Sequence, residues 1–297
     1  MSELDFERLQ LMFRRTGSLP VLPKTCLDLV RAIDRENPSS SELERIVVSD
    51  PALTAELIRS AMTSPYSSPV GVDTSVRQLI MIIGLKRLRM MALGLAARRM
   101  SGIKSESQFF DLRDYKFRSF VTANLARFIH ARLRHSVPPL DFEWSNDEVF
   151  GAASLSFLPH LLMAHALPRV YDRTYNLAKL LSSSFEEAFF RQYGGSLYAL
   201  GACALESWRF PELFSVSQRY MLDPIGHSEQ ARGLACIRVA QVATGKDLMR
   251  GSVAFTPSAA DALTRDLCPV AEEEVEIAMQ HVWDSLEDPE ESHLVAS

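Results

Sequence analysis

The 297-residue chain contains no His followed by Asp, no HExxH, no CxxC and no GxSxG. These absences remove the shortest sequence routes to a hydrolytic metal centre, a zinc-protease helix, a redox dithiol and a nucleophile elbow. Cysteine is scarce: Cys26, Cys203, Cys236 and Cys268 stand far apart, as expected of reduced, buried thiols in a cytoplasmic protein rather than of a disulfide framework. No strand-like alternation exceeds four residues, and no repeat of fixed period is present. Charge of one sign is also lacking. The net charge of -5 gives no global case for nucleic acid or membrane binding. Long apolar runs are missing except for Val149–Pro168, which carries Pro159, His160 and His165 in its interior and follows Asn146, Asp147 and Glu148. A buried core helix fits that stretch better than a membrane span. Met1–Asp5 bears acids and no basic stretch ahead of an apolar run, so no signal peptide is expected.

What is present reads as helix throughout. The chain is 47% apolar, ordinary for a packed globular protein, and Val and Ile are each outnumbered by Leu, Ala, Arg and Glu. Ser2 caps a helix reaching Arg15, and Pro23 opens another to Ile33. Ser41 starts a short helix to Val48. Asp50-Pro51 joins an acidic cap to a proline at the first helical position, for a helix through Met62. Ser75 and Gln78 form a capping box, Gly84 breaks the helix that follows, and the next runs from Leu85 to Met100. A long helix is predicted over Phe109–Arg134, one apolar helix from Asn146 or Asp147, a short one over Phe185–Gln192, and one from Ser196 to Trp208. Pro211 opens another, and residues from Ser228 onward give two or three more, punctuated by Pro257 and Pro269. The fold class is all-α.

Candidate chemistry is thin. A hydrolytic metal site needs three or more His, Asp or Glu side chains converging. His130 and His135 are five residues apart, as are His160 and His165. Five residues are about 500° of helix, which splays each pair by roughly 140°. Each lone histidine therefore reads as a surface or satisfied core residue. Gly245-Lys246 is followed by Asp247 where a phosphate-binding loop needs Ser or Thr, and Ala240 stands where its first Gly belongs. Gly194-Gly195-Ser196 reads as a helix stop followed by a cap.

Four segments in order carry a family resemblance. They are Leu19-Pro20-Val21-Leu22-Pro23; Asp50-Pro51-Ala52-Leu53 with Leu57-Ile58-Arg59; Gln78-Leu79-Ile80 with Ile83-Gly84-Leu85 and Leu88-Arg89; and Gly201-Ala202 with Trp208-Arg209-Phe210-Pro211. Over Thr16–Met221 the chain resembles the HDOD family, bacterial signalling domains related to HD phosphohydrolases. The resemblance implies an all-α, HD-like multi-helix bundle. It places an N-terminal helix at 1–17 and an HDOD-like domain at 18–223, with an N-terminal lobe at 18–100 and a degenerate HD-like lobe at 101–223. A C-terminal helical extension with an acidic tail occupies 224–297.

The departures from the family pattern shape the functional expectation. Arg118 precedes Ser119 where the family often keeps a His. Ser154-Leu155, inside Gly151–Phe157, replaces His-Asp. Leu197 replaces the His ahead of Gly201, and Arg219-Tyr220 stands where the pattern has two histidines. Met62 replaces an Asn. Ser, Leu and Arg do not substitute for imidazole and carboxylate as metal ligands. The resemblance therefore implies a non-catalytic regulator without cofactor. It would act on a histidine kinase, a response regulator or a cyclic-di-GMP enzyme. A diverged phosphohydrolase is the alternative from the enzyme class.

Charge distribution adds a third reading. Lys86–Arg134 holds twelve Lys and Arg against Glu106, Asp111 and Asp114, whereas Asp266 to the C-terminus holds ten acids and no Lys or Arg. These are either two solvated faces or an acidic tail lying on the basic region, within one chain or across a homodimer. Lys86, Arg87, Arg89, Arg98, Arg99 and Arg118 are candidates for an anion or partner site, such as one for a cyclic nucleotide messenger. Nucleic acid is not an expected partner, because the Leu85–Met100 helix spends much of its surface on Leu, Met and Ala.

Overall fold

The structure is a computed structural model describing residues 6–14, 24–62, 75–100, 105–136, 144–208, 210–224, 231–248, 268 and 272–287. Every regular element among them is a helix: α1 Phe6–Arg14, α2 Lys24–Ile33, α3 Ser40–Val48, α4 Pro51–Met62, α5 Val76–Ile83, α6 Leu85–Met100, α7 Leu112–Ser136, α8 Asn146–Ser154, α9 Leu158–Ala166, α10 Pro168–Leu181, α11 Phe185–Tyr193, α12 Leu197–Ser207, α13 Glu212–Arg219, α14 Ala231–Leu248 and α15 Glu272–Glu287. They divide between two compact units, Val21–Gly102 and Met1–Pro20 with Ile103–Ser297. The Leu19–Pro23 motif, Pro257 and Pro269 lie outside the described residues.

In the Val21–Gly102 unit, α2 packs on α3 and α6, and α4 on α5. Their stripes bury Leu29, Val30, Leu43, Val47, Leu53, Leu57, Leu79, Leu88 and Ala96. The helix starts have local causes. Ser39, two residues ahead of the expected Ser41, caps α3 by accepting the Glu42 N–H at 3.5 Å. Ser75 and Gln78 form the capping box of α5. Gly84 ends α5 at φ 81°, a conformation costly for any residue with a Cβ, and its N–H reaches the Ile80 carbonyl at 2.8 Å. Asp50 accepts the Ala52 and Leu53 N–H groups at 3.1 and 3.2 Å, so the Asp-Pro start acts as its chemistry dictates.

In the other unit, α7 is the long central element, packed by α8, α14 and α15, while α12 packs against α1, α9 and α13. Leu125, Ile129, Trp144, Val149, Tyr198, Leu234, Ile237, Val275 and Met279 share one core cluster. The helices after residue 223 thus contribute to the same core as α7 and α8. Asp111 starts α7 by accepting the Arg113 and Asp114 N–H groups at 2.7 and 3.3 Å, a few residues later than expected.

Two expectations change here. The single apolar helix expected from Asn146 is two, α8 and α9, separated by a turn at Leu155–Phe157. Pro159 is the cause, because it has no N–H to give the Leu155 carbonyl four residues earlier. The sequence reading also assigned no helix to 168–184, where α10 lies. That helix starts at Pro168 with no side-chain cap and buries only Tyr171, Thr174 and Ala178. The stretch Asn146–Ala166 is apolar and long enough to span a bilayer by composition, but most of it is buried, as befits core.

Candidate functional site

The residues that the family resemblance aligns with metal ligands, Arg118, Ser154, Leu155, Leu197 and Tyr220, are core and turn residues. Leu155 and Leu197 are fully buried apolar side chains. The Ser154 hydroxyl turns back and donates to the Gly151 carbonyl at 2.7 Å, closing the end of α8. Tyr220 is half-buried and ends α13, its N–H on the Val216 carbonyl at 3.0 Å. Arg118 is buried on α7, its Nε 2.9 Å from the Asp114 carboxylate one turn earlier. A guanidinium, two leucines, a turn serine and a phenol do not fit a divalent cation. Among the described residues, no group of three or more His, Cys, Asp or Glu is placed to hold one.

A polar contact has formed at the Leu155 backbone instead. The carbonyl that Pro159 leaves without its helical donor accepts the Gln218 side-chain amide at 2.7 Å and the Leu158 N–H at 2.9 Å. Gln218 is fully buried on α13. Gly201 of α12 makes room for this arrangement. A Cβ there would lie 2.6 Å from Pro159 Cγ and 2.8 Å from Gln218 Oε1. The Gly-Ala pair of the fourth motif therefore has a packing reason: α12 meets α9 and α13 at a point where only hydrogen fits.

Beside this junction lies a buried polar network. Glu186, 6% exposed, has Oε1 at 3.3 Å from both His160 Nε2 and the Tyr198 hydroxyl. The Gln241 amide donates to the Tyr198 oxygen at 2.7 Å, and Arg238 donates to Gln241 Oε1 at 2.9 Å. The chain of contacts ties α9, α11, α12 and α14 together. Burial pushes the Glu186 carboxyl up, but the hydrogen bond and charge of His160, with Arg238 farther off, hold it below the usual carboxylate range. The His160 ring also packs on Phe185 and Tyr171, with centroids 4.9 and 6.2 Å away. Glu186, Tyr198, Arg238 and Gln241 are not legible as a set in the sequence, because they lie on three helices. Arg238 and Gln241, three residues apart in an apolar helix, were the available signal.

The other histidine readings also find their places. His130 is fully buried, with Nδ1 2.7 Å from the Asn146 side-chain oxygen, and burial above all lowers its pKa, leaving the ring neutral. His165 is exposed, and the His135 side chain lies outside the described residues.

The proposed anion-binding cations are not alike. Arg99 forms a bidentate pair with Asp50, both contacts 2.6 Å, while Thr25 donates to the same carboxylate at 2.7 Å. Arg89 is paired with Asp34 at 3.0 Å. With the Arg118–Asp114 contact, three of the six cations already face carboxylates. Lys86 is exposed and Arg87 half-buried, and the Arg98 side chain lies outside the described residues. The acidic C-terminal region does meet a basic residue of its own chain: Arg132 of α7 donates to Glu274 of α15 at 3.0 Å. Residues 288–297 of that region lie outside the described residues.

Comparison with known proteins places this arrangement. The HDOD domain family profile matches residues 19–224. An HDOD domain protein of unknown function from Geobacter sulfurreducens superposes with a TM-score of 0.63 at 18% identity, covering 95% of this chain and 96% of its own. A Marinobacter aquaeolei VT8 protein, provisionally described as a signal transduction protein, gives 0.61 at 20% identity over 91% of this chain and 58% of its own. A Shewanella amazonensis SB2B protein, provisionally described as a phosphohydrolase, gives 0.62 at 17% identity over 92% and 93%. At these identities the likeness is one of fold. No curated protein matches the chain.

Proposed function

The chain belongs to the HDOD domain family, and from that premise we propose that it is a non-catalytic regulator in cytoplasmic signal transduction, acting by binding other signalling proteins. The observation that carries this reading is at Leu155. The side chain at the carboxylate position of an HD pair is a fully buried leucine, and its backbone is held by Gln218 through a hydrogen bond of 2.7 Å. The positions that the family resemblance aligns with metal ligands are taken up by a helix-to-helix contact. The remaining function of such a scaffold is recognition through its surface. The partners in view are a histidine kinase, a response regulator or a cyclic-di-GMP enzyme, the classes that the family resemblance implies.

The test pairs a metal assay with a binding assay. Protein purified without chelator should carry less than stoichiometric Mn or Fe. It should turn over neither nucleotides nor cyclic dinucleotides when either metal is added. It should bind at least one purified signalling protein of the three classes from its own cell. Stoichiometric metal with turnover overturns the reading in favour of a diverged phosphohydrolase. A cyclic dinucleotide that raises Tm, with the shift lost in Arg87→Ala, replaces it with a messenger receptor.

A further inference from the structure

Cys236 and Cys268 are 32 positions apart in sequence, yet their sulfur atoms are 4.0 Å apart and both side chains are buried. All four cysteines are free thiols, and this is the one sulfur–sulfur contact among the described residues. Cys236 sits on α14. Cys268 lies just ahead of α15, whose Val275, Ala278 and Met279 enter the same core cluster as both cysteines. The pair thus joins the entry of the last described helix to α14, and both helices pack on α7.

We propose that Cys236 and Cys268 form an intrachain disulfide when a small two-electron oxidant, such as hydrogen peroxide, reaches them, and that this bond locks α15 onto the α7–α14 pair. Bond formation needs the sulfurs to close by about 2 Å, which side-chain rotation with small backbone shifts accommodates. In the first step one thiolate attacks peroxide. Its sulfur is oxidised to a sulfenic acid, the O–O bond breaks, and hydroxide leaves, becoming water with the proton the thiol gave up. The second thiol then displaces hydroxide from that sulfur, and the S–S bond forms with loss of a second water. Burial, followed by the Cys268 contact, pushes the Cys236 thiol up, so Cys236 is protonated and slow to react at neutral pH. The lock responds to sustained oxidant and closes faster as pH rises. Once closed, it constrains the unfolded chain between the two cysteines and raises resistance to unfolding.

The test uses the full chain, reduced and then exposed to hydrogen peroxide under native conditions. The expected product has lost two hydrogens by intact mass and yields a Cys236–Cys268 cross-linked peptide in a non-reducing digest. Cys26 and Cys203 remain available to alkylation once the product is unfolded. The Tm of the oxidised protein rises by several degrees, and dithiothreitol reverses the rise. The double variant Cys26→Ser/Cys203→Ser keeps the cross-link, and Cys236→Ser abolishes it. Should the native protein yield no such peptide, or only the mixture formed by urea-unfolded chains, the proposal fails.

Discussion

Replacing Asp50 should reveal how much of the Val21–Gly102 unit depends on one carboxylate. Asp50 is 5% exposed and carries three separable contacts. Its caps on the Ala52 and Leu53 N–H groups are worth about 1 kcal/mol. Its hydrogen bond from Thr25 is worth about 1 kcal/mol. The pair with Arg99 lies between regimes, because the Arg99 side chain is 34% exposed. Discounted for solvent, that pair is worth about 1–2 kcal/mol rather than the several of a fully buried one. Asp50→Ala should therefore cost about 3–4 kcal/mol. Asp50→Asn keeps an oxygen for the helix N–H groups, but it loses the charge and turns the oxygen facing Arg99 Nη1 into an N–H donor, so it should cost about 2 kcal/mol. Denaturant unfolding followed by far-UV circular dichroism measures both. The Arg99 hydrogen bonds hold the Asp50 carboxyl well below its usual range, more than offsetting burial, so its contribution is present above the unfolded Asp value near 4. That contribution is lost as pH falls through the folded value, and the gap between wild type and Asp50→Asn should close in acid. A loss under about 0.5 kcal/mol for Asp50→Ala, or equal losses for Ala and Asn, would refute the reasoning.

Three further outcomes follow from the other unit. Gly201→Ala drives a methyl to 2.6 Å from Pro159 and should cost about 1–3 kcal/mol by overpacking, read as a lower Tm. Gln218→Ala removes the amide from the Leu155 carbonyl and opens a cavity, for about 2–3 kcal/mol; Gln218→Leu keeps the volume and should cost about half as much, compared by urea midpoint. His130, held neutral by burial in the fold, takes up a proton more readily when unfolded, so stability should decline as pH falls below about 6.5. His130→Gln should flatten a pH 7-to-5 stability profile measured by thermal unfolding, while a steeper loss near pH 4 should persist because the folded Glu186 carboxyl also resists protonation.

Local chemistry was legible in the sequence wherever one residue type has one physical use. The cap at Asp50, the capping box at Ser75, the break at Gly84 and the stop at Gly194 are all where the chain says they are. What failed was chemistry that needs a partner from elsewhere. Pro159 reads as an interior residue of one apolar helix until the Leu155 carbonyl is seen to need a donor, and that donor is 63 residues away at Gln218. α10 escaped notice because it has neither cap nor broad apolar stripe, and its buried face is only Tyr171, Thr174 and Ala178. Glu186 reads as a helix-start acid, which is its local role, while its burial against His160 and Tyr198 is a tertiary fact.

The same residues show how this scaffold holds together around Ser154 and Leu155, the pair that the family resemblance aligns with His-Asp. Metal ligands would link helices through a shared ion. Here the linking falls to three direct contacts of different kinds. Gly201 lets α12 approach α9 and α13 closely, Gln218 pins the turn between α8 and α9, and the Glu186–Tyr198–Gln241–Arg238 chain ties α11 and α12 to α14. The side chains that make these contacts are buried. Returning His and Asp to 154 and 155 would place a carboxylate in a fully buried apolar setting with no partner. Ser154→His/Leu155→Asp should therefore unfold at a lower Tm than wild type and regain no stability when Mn is added. A Tm restored by stoichiometric Mn would mean that enough of the ligand geometry survives for the scaffold to return to metal chemistry.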